Sequence, residues 1–122
     1  PNPQAISFVD DLNEVGQLAI SPRANPESTF PNGANFEFIK KVGPNHIAMR
    51  VFERGSGETL SCGTGVCAAA VVARLNESQS GVTTWRVDVK GGSLKVEQDA
   101  DGEVSLIGPA TLVADGEFYF EI

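Results

Sequence analysis

The sequence is short of the groups on which most catalytic and metal sites draw: in 122 residues it has one histidine, His46, and two cysteines, Cys62 and Cys67. With one imidazole, nothing supplies the four closely spaced ligands of a structural zinc. Two cysteines make no disulfide framework. On one helix, the separation of Cys62 and Cys67 sets their Cα atoms roughly 8–9 Å apart on different faces, beyond the ~7 Å reach of a bridge. Basic residues are also scarce, nine Lys and Arg against sixteen Asp and Glu, for a net charge of −7. They are scattered, with only Lys40 and Lys41 adjacent, which excludes nucleic acid as an expected partner. No run approaches the ~18 apolar residues of a membrane span and no signal peptide opens the chain, so the expected setting is cytoplasmic, without a membrane partner.

What is present suits one domain over residues 1–122: 41% of the chain is hydrophobic, enough for a core but not for two independent ones. There is no initiator Met, and a β-prone run, Ala5 to Val9, begins within four residues; the chain reads as one entered midway.

The most informative stretch runs from Glu53 to Glu77, ERGSGETLSCGTGVCAAAVVARLNE. Gly55, Gly57, Gly63 and Gly65 lead into an apolar block, Val66 to Ala73. A glycine-rich turn feeding a helix leaves the first backbone N–H groups without internal partners, which makes an anion-binding mouth. Cys62 sits at that mouth, where the free N–H groups and the positive end of the helix dipole favour a thiolate. A free cysteine is otherwise a small buried hydrophobe; Gly63, Thr64 and Gly65 shift the reading to a reactive thiol, with Cys67 packed within the helix.

The block VCAAAVVA is apolar all round a helical wheel, so the helix should be buried on every face with sheet about it. It should end near Asn76 or Glu77, where Arg74 suits the negative end of the dipole. Asp10 to Ala34 reads as mostly irregular, with a short helical turn near Val15 to Ile20. NFEFIKK and HIAMRVF, split by Gly43, Pro44 and Asn45, read as an antiparallel hairpin with one better-buried face, and His46 at its turn reads as a plain surface residue. Further strands are expected at Thr83 to Lys90, Ser93 to Gln98, Glu103 to Ile107 and Leu112 to Ile122, punctuated by Gly-Gly, Asp-Gly and Gly-Pro dipeptides. The expected class is α+β: seven or eight strands in a mostly antiparallel, barrel-like sheet wrapped around a central buried helix.

A thiolate at a helix mouth can attack a carbonyl, or it can take a proton from carbon while the N–H cluster holds a carboxylate. The first use calls for a histidine in reach and the second does not. Removing an α-proton without a cofactor needs preorganised donors for the charge that flows into the carboxylate, and the N–H groups of Gly63 to Gly65 with the Thr64 hydroxyl can supply them.

The run ERGSGETLSCGTGVCAAA resembles the C-terminal active-site segment of the diaminopimelate epimerase family, cofactor-independent enzymes with two catalytic cysteines, one from each of two similar domains. PNP at the start resembles the family's GNPH, PNGANFEF its FPxGxNxEF, and GGSLKVE with the later GPA its PGGxLxV and GPA. The resemblance covers nearly the whole chain in the family's order. It implies a C-terminal domain of a two-domain epimerase that interconverts LL- and meso-diaminopimelate by thiol/thiolate proton transfer at Cα, on the route to lysine and peptidoglycan precursors. It implies that Cys62 is one of the two acid/base thiols, that the amides of Gly63 and Thr64 hold the α-carboxylate, and that Asn2, Asn35 and Arg54 bind the far end of the substrate. A bidentate Arg54 would grip the distal carboxylate, and Glu53 would lie near the amino groups or thiols. The plain alternative for Glu53 and Arg54 is a strand-end salt bridge.

Two positions depart from that pattern: Gln4 stands where the family has the His of GNPH, and Pro1 where it has Gly. Gln cannot titrate, so a proton-relay role there does not carry over. Inverting a stereocentre calls for acid/base groups on both faces, and this chain offers one suitable thiol. The expected partners are thus the amino-acid substrate and an N-terminal domain bearing the second cysteine, and a homodimer is compatible with the sequence. Two other readings stay open: a racemase or epimerase of another amino acid, since proline racemase and hydroxyproline epimerase resemble the same Cys-Gly-Thr-Gly mouth, and a non-catalytic binding domain of the same fold.

Overall fold

The apolar block after the glycine turn forms the one α-helix among the described residues. In the computed structural model, which describes residues 2–121, α1 spans Gly63–Asn76. It packs against β1 (Gln4–Phe8), β2 (Asn35–Gly43), β3 (His46–Glu53), β5 (Thr83–Val89), β6 (Gly92–Gln98) and β7 (Val104–Ile107). A two-residue strand, β4 (Gly57–Glu58), pairs only with β3. The sheet order is β1-β2-β3-β5-β6-β7, so the sheet wraps around the helix in the α+β arrangement expected.

Most ladders are antiparallel, but β1 pairs parallel to β2 and β3 parallel to β5. Parallel neighbours need a crossover. Residues 9–34 provide the first, and α1 the second, so the helix carries the chain from β3 to its parallel neighbour β5 in the middle of the sheet. Its burial is uneven. Gly65, Val66, Ala69, Ala70 and Ala73 form a buried stripe, Cys67, Ala68, Val71 and Val72 are half-buried, and Leu75 is exposed. Small residues on that stripe let the backbone approach the sheet, where Ile39, Ile47, Met49, Val51, Trp85, Val87 and Val96 complete the core.

The helical turn expected near Val15 to Ile20 lies earlier, as a 3-10 turn at Leu12–Val15. Asp11 caps it through Asn13 N–H (2.9 Å), and Gly16, at φ 70°, ends it. A guanidinium fixes its place. Arg50 on β3 donates to the Leu12 carbonyl (2.9 Å) and the Gly16 carbonyl (2.7 Å), and grips Glu58 on β4 with Nε and Nη2, both at 2.8 Å. Lys90 approaches the same carboxylate at 3.1 Å.

The strand expected at Leu112 to Ile122 is absent over 108–121, and Ile122, like Pro1, lies outside the described residues. The alternation is there in FYFEI, but an extended segment becomes a strand only beside an edge that takes its N–H and C=O groups, and the last ladder in this sheet is β6 with β7. His46 is also corrected: it is half-buried, and its Nε2 lies 2.6 Å from Asp88 Oδ2, because parallel pairing sets the entrance of β3 beside β5.

Glu58 gives a pH signature. Hydrogen bonding to Arg50, the largest influence, outweighs partial burial and, with Lys90, holds the Glu58 carboxyl down at about 2 from an ordinary 4.5. A depressed folded value stabilises the fold above the unfolded value, and the gain is lost as pH falls from about 4.5 towards 2. Glu58→Gln should therefore lower unfolding free energy by roughly 2 kcal/mol at pH 7, with the deficit vanishing near the acid end of that window. Urea unfolding of both proteins across pH checks this; a deficit independent of pH would mean the ion pair is not its source.

Candidate functional site

Three segments meet at the N-terminus of α1: the chain start, the head of β2 and the end of β3. Cys62 is the N-cap, extended at φ −135°, ψ 108°, and the first helical bond runs from Val66 N–H to the Cys62 carbonyl at 2.8 Å. The N–H groups of Gly63, Thr64 and Gly65 precede that bond and have no acceptor within the helix. No acidic side chain stands in the first turn, and the Cys62 side chain does not cap its own helix. Its buried Sγ instead lies 3.5 Å from Thr64 Oγ1 and 3.9 Å from Asn35 Nδ2.

Asn35 joins the three segments. Its N–H donates to the Pro3 carbonyl (3.0 Å), its Oδ1 accepts from Arg54 N–H (2.8 Å), and its Nδ2 faces Cys62. At 2% exposure it is held on every side. Arg54 is exposed, with its stem across Gly33, where a β-carbon would come within 3.1 Å of Cδ; Gly33 also sits at φ 79°. The guanidinium reaches only the Asn32 carbonyl, at 3.0 Å. Among the described residues no ion pair joins it to Glu53, the last residue of β3. The Glu53 carboxylate accepts from the Thr59 hydroxyl at 2.5 Å. Beside Arg54 lies an open cavity of about 350 Å³, lined by Pro3, Phe30, Pro31, Asn32 and Gly33 among others.

The structure thus brings Cys62, Gly63, Thr64 and Asn35 together at one mouth; Arg54 joins it through its backbone N–H on Asn35, while the Arg54 guanidinium lies on Asn32 and the Glu53 carboxylate on Thr59. Asn2 lies exposed next to Pro3, the residue that seats the chain start on β2. Cys67 is half-buried against the core, and burial pushes its thiol up from the ordinary value.

Sequence reasoning missed Glu37. The better-buried face of β2 is Asn35, Glu37 and Ile39 rather than Phe36 and Phe38, and Glu37 is 1% exposed. A β-carbon on Gly65 would lie 2.5 Å from Glu37 Oε1, so any larger residue there would displace this carboxyl. Burial, the main cause, and the Glu53 charge push Glu37 up to about 7 against an opposing backbone hydrogen bond. The available signal was the pairing of a glycine in the first helical turn with an acidic residue in alternation with Asn35.

The fold, a mostly antiparallel sheet around one helix, is of the kind also seen in a crystal structure of a phenazine biosynthesis PhzF-family protein from Enterococcus faecalis. That structure matches at a TM-score of 0.52 and 21% identity over 80% of this chain and 34% of the other. A family model described as diaminopimelate epimerase matches residues 1–113, and the chain belongs to that family. Diaminopimelate epimerase of Streptomyces coelicolor is 48% identical over 96% of this chain and 42% of its own length. The enzymes of Oceanobacillus iheyensis and Phocaeicola vulgatus are 41% and 43% identical. The chain spans less than half the length of these relatives, 42% and 41% for the last two.

Two outcomes follow. A carboxyl with a raised folded value loses protons first in the unfolded chain, so Glu37 lowers stability as pH rises from 4.5 through about 7. Glu37→Gln should gain on the order of 2 kcal/mol relative to wild type between pH 4.5 and pH 8 in urea unfolding, and a flat difference would remove the buried carboxylate as its origin. Cys62, at the helix mouth, should alkylate about ten-fold faster than Cys67 at neutral pH by peptide mass mapping; equal rates would reverse the assignment of the two thiols.

Proposed function

We propose that this chain is the C-terminal half of a two-domain, cofactor-independent diaminopimelate epimerase and supplies one of its two acid/base thiols. The observation that carries the reading is Cys62 at the cap of α1, with donors around its sulfur and three free N–H groups beside it. Sequence identity to relatives named diaminopimelate epimerase supports the substrate, and the chain's share of their length supports a second domain.

The substrate's α-carboxylate binds at the amides of Gly63 and Thr64, with its negative charge against the helix N-terminus. Cys62 as thiolate takes the proton from Cα: the C–H bond breaks, an S–H bond forms, and the electron pair moves into the carboxylate held by those amides. A thiol on the opposite face then gives its proton to Cα, so the centre is inverted with no net redox change. Arg54, exposed and free of a carboxylate partner among the described residues, pairs with the distal carboxylate. Asn35 links Arg54 to Cys62 and fixes the spacing between the two ends of the site.

The second thiol comes from a domain that closes the open side of the mouth. Thr64, Gly63 and Arg54 are exposed, and so is Leu106 on β7, which overhangs Gly63; further along the chain the apolar side chains Leu112, Val113, Phe118 and Phe120 are exposed as well. An apolar surface of that extent suits an intramolecular interface.

The isolated chain should not interconvert LL- and meso-diaminopimelate, whereas mixing it with the complementary N-terminal half should restore turnover and solvent-deuterium entry at Cα. Cys62→Ser in the assembled enzyme should lower kcat by at least about 100-fold. Turnover by the isolated chain near the rate of a two-domain enzyme would sink the half-site reading. Full activity of Cys62→Ser would sink the thiol assignment.

A further inference from the structure

We propose that Glu37 is a positioning residue for Cys62, acting through Gln4. Glu37 lies beneath the first turn of α1, so close to Gly65 that a β-carbon there would meet Oε1 at 2.5 Å and displace the carboxyl. Among the described residues no cation pairs with it, and Gln4 is the side chain that bonds it. The neighbours dictate how that amide is turned. Asn35 Oδ1 is committed to Arg54 N–H, so Asn35 presents Nδ2 to Gln4, and Gln4 must answer with its oxygen. In that orientation Gln4 Oε1 accepts from Asn35 Nδ2 (3.2 Å) and Thr64 Oγ1 (3.1 Å), and Gln4 Nε2 donates to Glu37, reaching Oε2 at 3.2 Å and Oε1 more closely. The opposite turn would set NH2 against NH2 at Asn35 and oxygen against oxygen at Glu37.

The two side chains that Gln4 holds are the two that touch the Cys62 sulfur. Asn35 has two amide hydrogens, one for Gln4 and one for Sγ. Thr64 has one, which goes to the stronger acceptor once the thiolate forms, leaving Asn35 to satisfy Gln4. Glu37 therefore keeps both donors facing a thiolate it does not itself touch. Without it, Gln4 is free to reverse, and its NH2 then displaces Asn35 from the sulfur. Burial is the main cause that pushes the carboxyl up to about 7.

This inference rests on the reading of Cys62 as a reactive thiol and not on the identity of the substrate. The test measures iodoacetamide alkylation of Cys62 in this chain at neutral pH, with Cys67 as internal reference and Trp85 fluorescence reporting the fold. Gln4→Leu should slow Cys62 about five-fold, the fold-change of one net hydrogen bond. Glu37→Leu should slow it equally, the double variant should be no slower than either, and Glu37→Gln, which keeps an acceptor for the Gln4 amide, should restore the rate to within about two-fold. Unchanged or faster alkylation in Gln4→Leu, additive slowing in the double variant, or a Glu37→Gln as slow as Glu37→Leu overturns the proposal. If Glu37→Leu does not fold, Gln4→Leu and Glu37→Gln decide it. A wild-type Cys62 no faster than Cys67 overturns both this proposal and the thiol's role, whereas a fast Cys62 indifferent to Gln4→Leu overturns this proposal alone.

Discussion

The site depends on one close approach, the seating of the first turn of α1 on the Glu37 carboxyl at Gly65. With a β-carbon at position 65 the helix could keep this depth only if the buried Glu37 carboxyl moved, because the added atom would meet Oε1 at 2.5 Å. Glycine in a helix interior is unfavourable by roughly 1 kcal/mol relative to alanine. That cost is offset here by the depth to which Val66, Ala69, Ala70 and Ala73 sink into the sheet. The same descent brings Cys62 within reach of Asn35, whose place at the head of β2 is two residues from Glu37 on the same face. The packing of the helix and the assembly of the mouth are thus a single event.

What was legible in the sequence is what local chemistry decides. Gly63, Thr64 and Gly65 after Cys62 mark the helix start, and the hairpin of β2 and β3 follows from alternation around Gly43, Pro44 and Asn45; both appear where the pattern puts them. What stayed hidden depends on partners distant in sequence. Phe36 and Phe38 are larger and more apolar than Asn35 and Glu37, yet the polar pair faces inward, since the helix mouth and the Arg54 amide supply the hydrogen bond that Asn35 needs. The turn at Leu12–Val15 was misplaced because its anchor is Arg50, far along the chain. The segment 108–121 reads as a strand by alternation and is none here, because pairing needs an edge and not only a pattern.

Two regimes of polar burial divide the molecule. Around Arg50 and Glu58 the charges are paired and partly solvated, with bidentate geometry and two backbone carbonyls satisfying the guanidinium. That cluster locks the crossover after β1 to β3 and β4, away from the thiol. Around Glu37 the carboxyl is buried with no cation beside it among the described residues, and the side chain that bonds it is the Gln4 amide. Unpaired buried charge is expensive, so its persistence beneath the helix mouth suits a functional constraint better than a stabilising one.

Gln4 gains its meaning from that constraint. At this position the resemblance calls for a histidine, and a glutamine cannot take or give a proton; it can only present one donor edge and one acceptor edge. An amide between a carboxyl and two hydroxyl and amide donors has one orientation that satisfies all of them, and a carboxyl behind it is the simplest way to fix that orientation. The geometry behind the thiol therefore serves orientation, since the Gln4 amide cannot itself carry a proton.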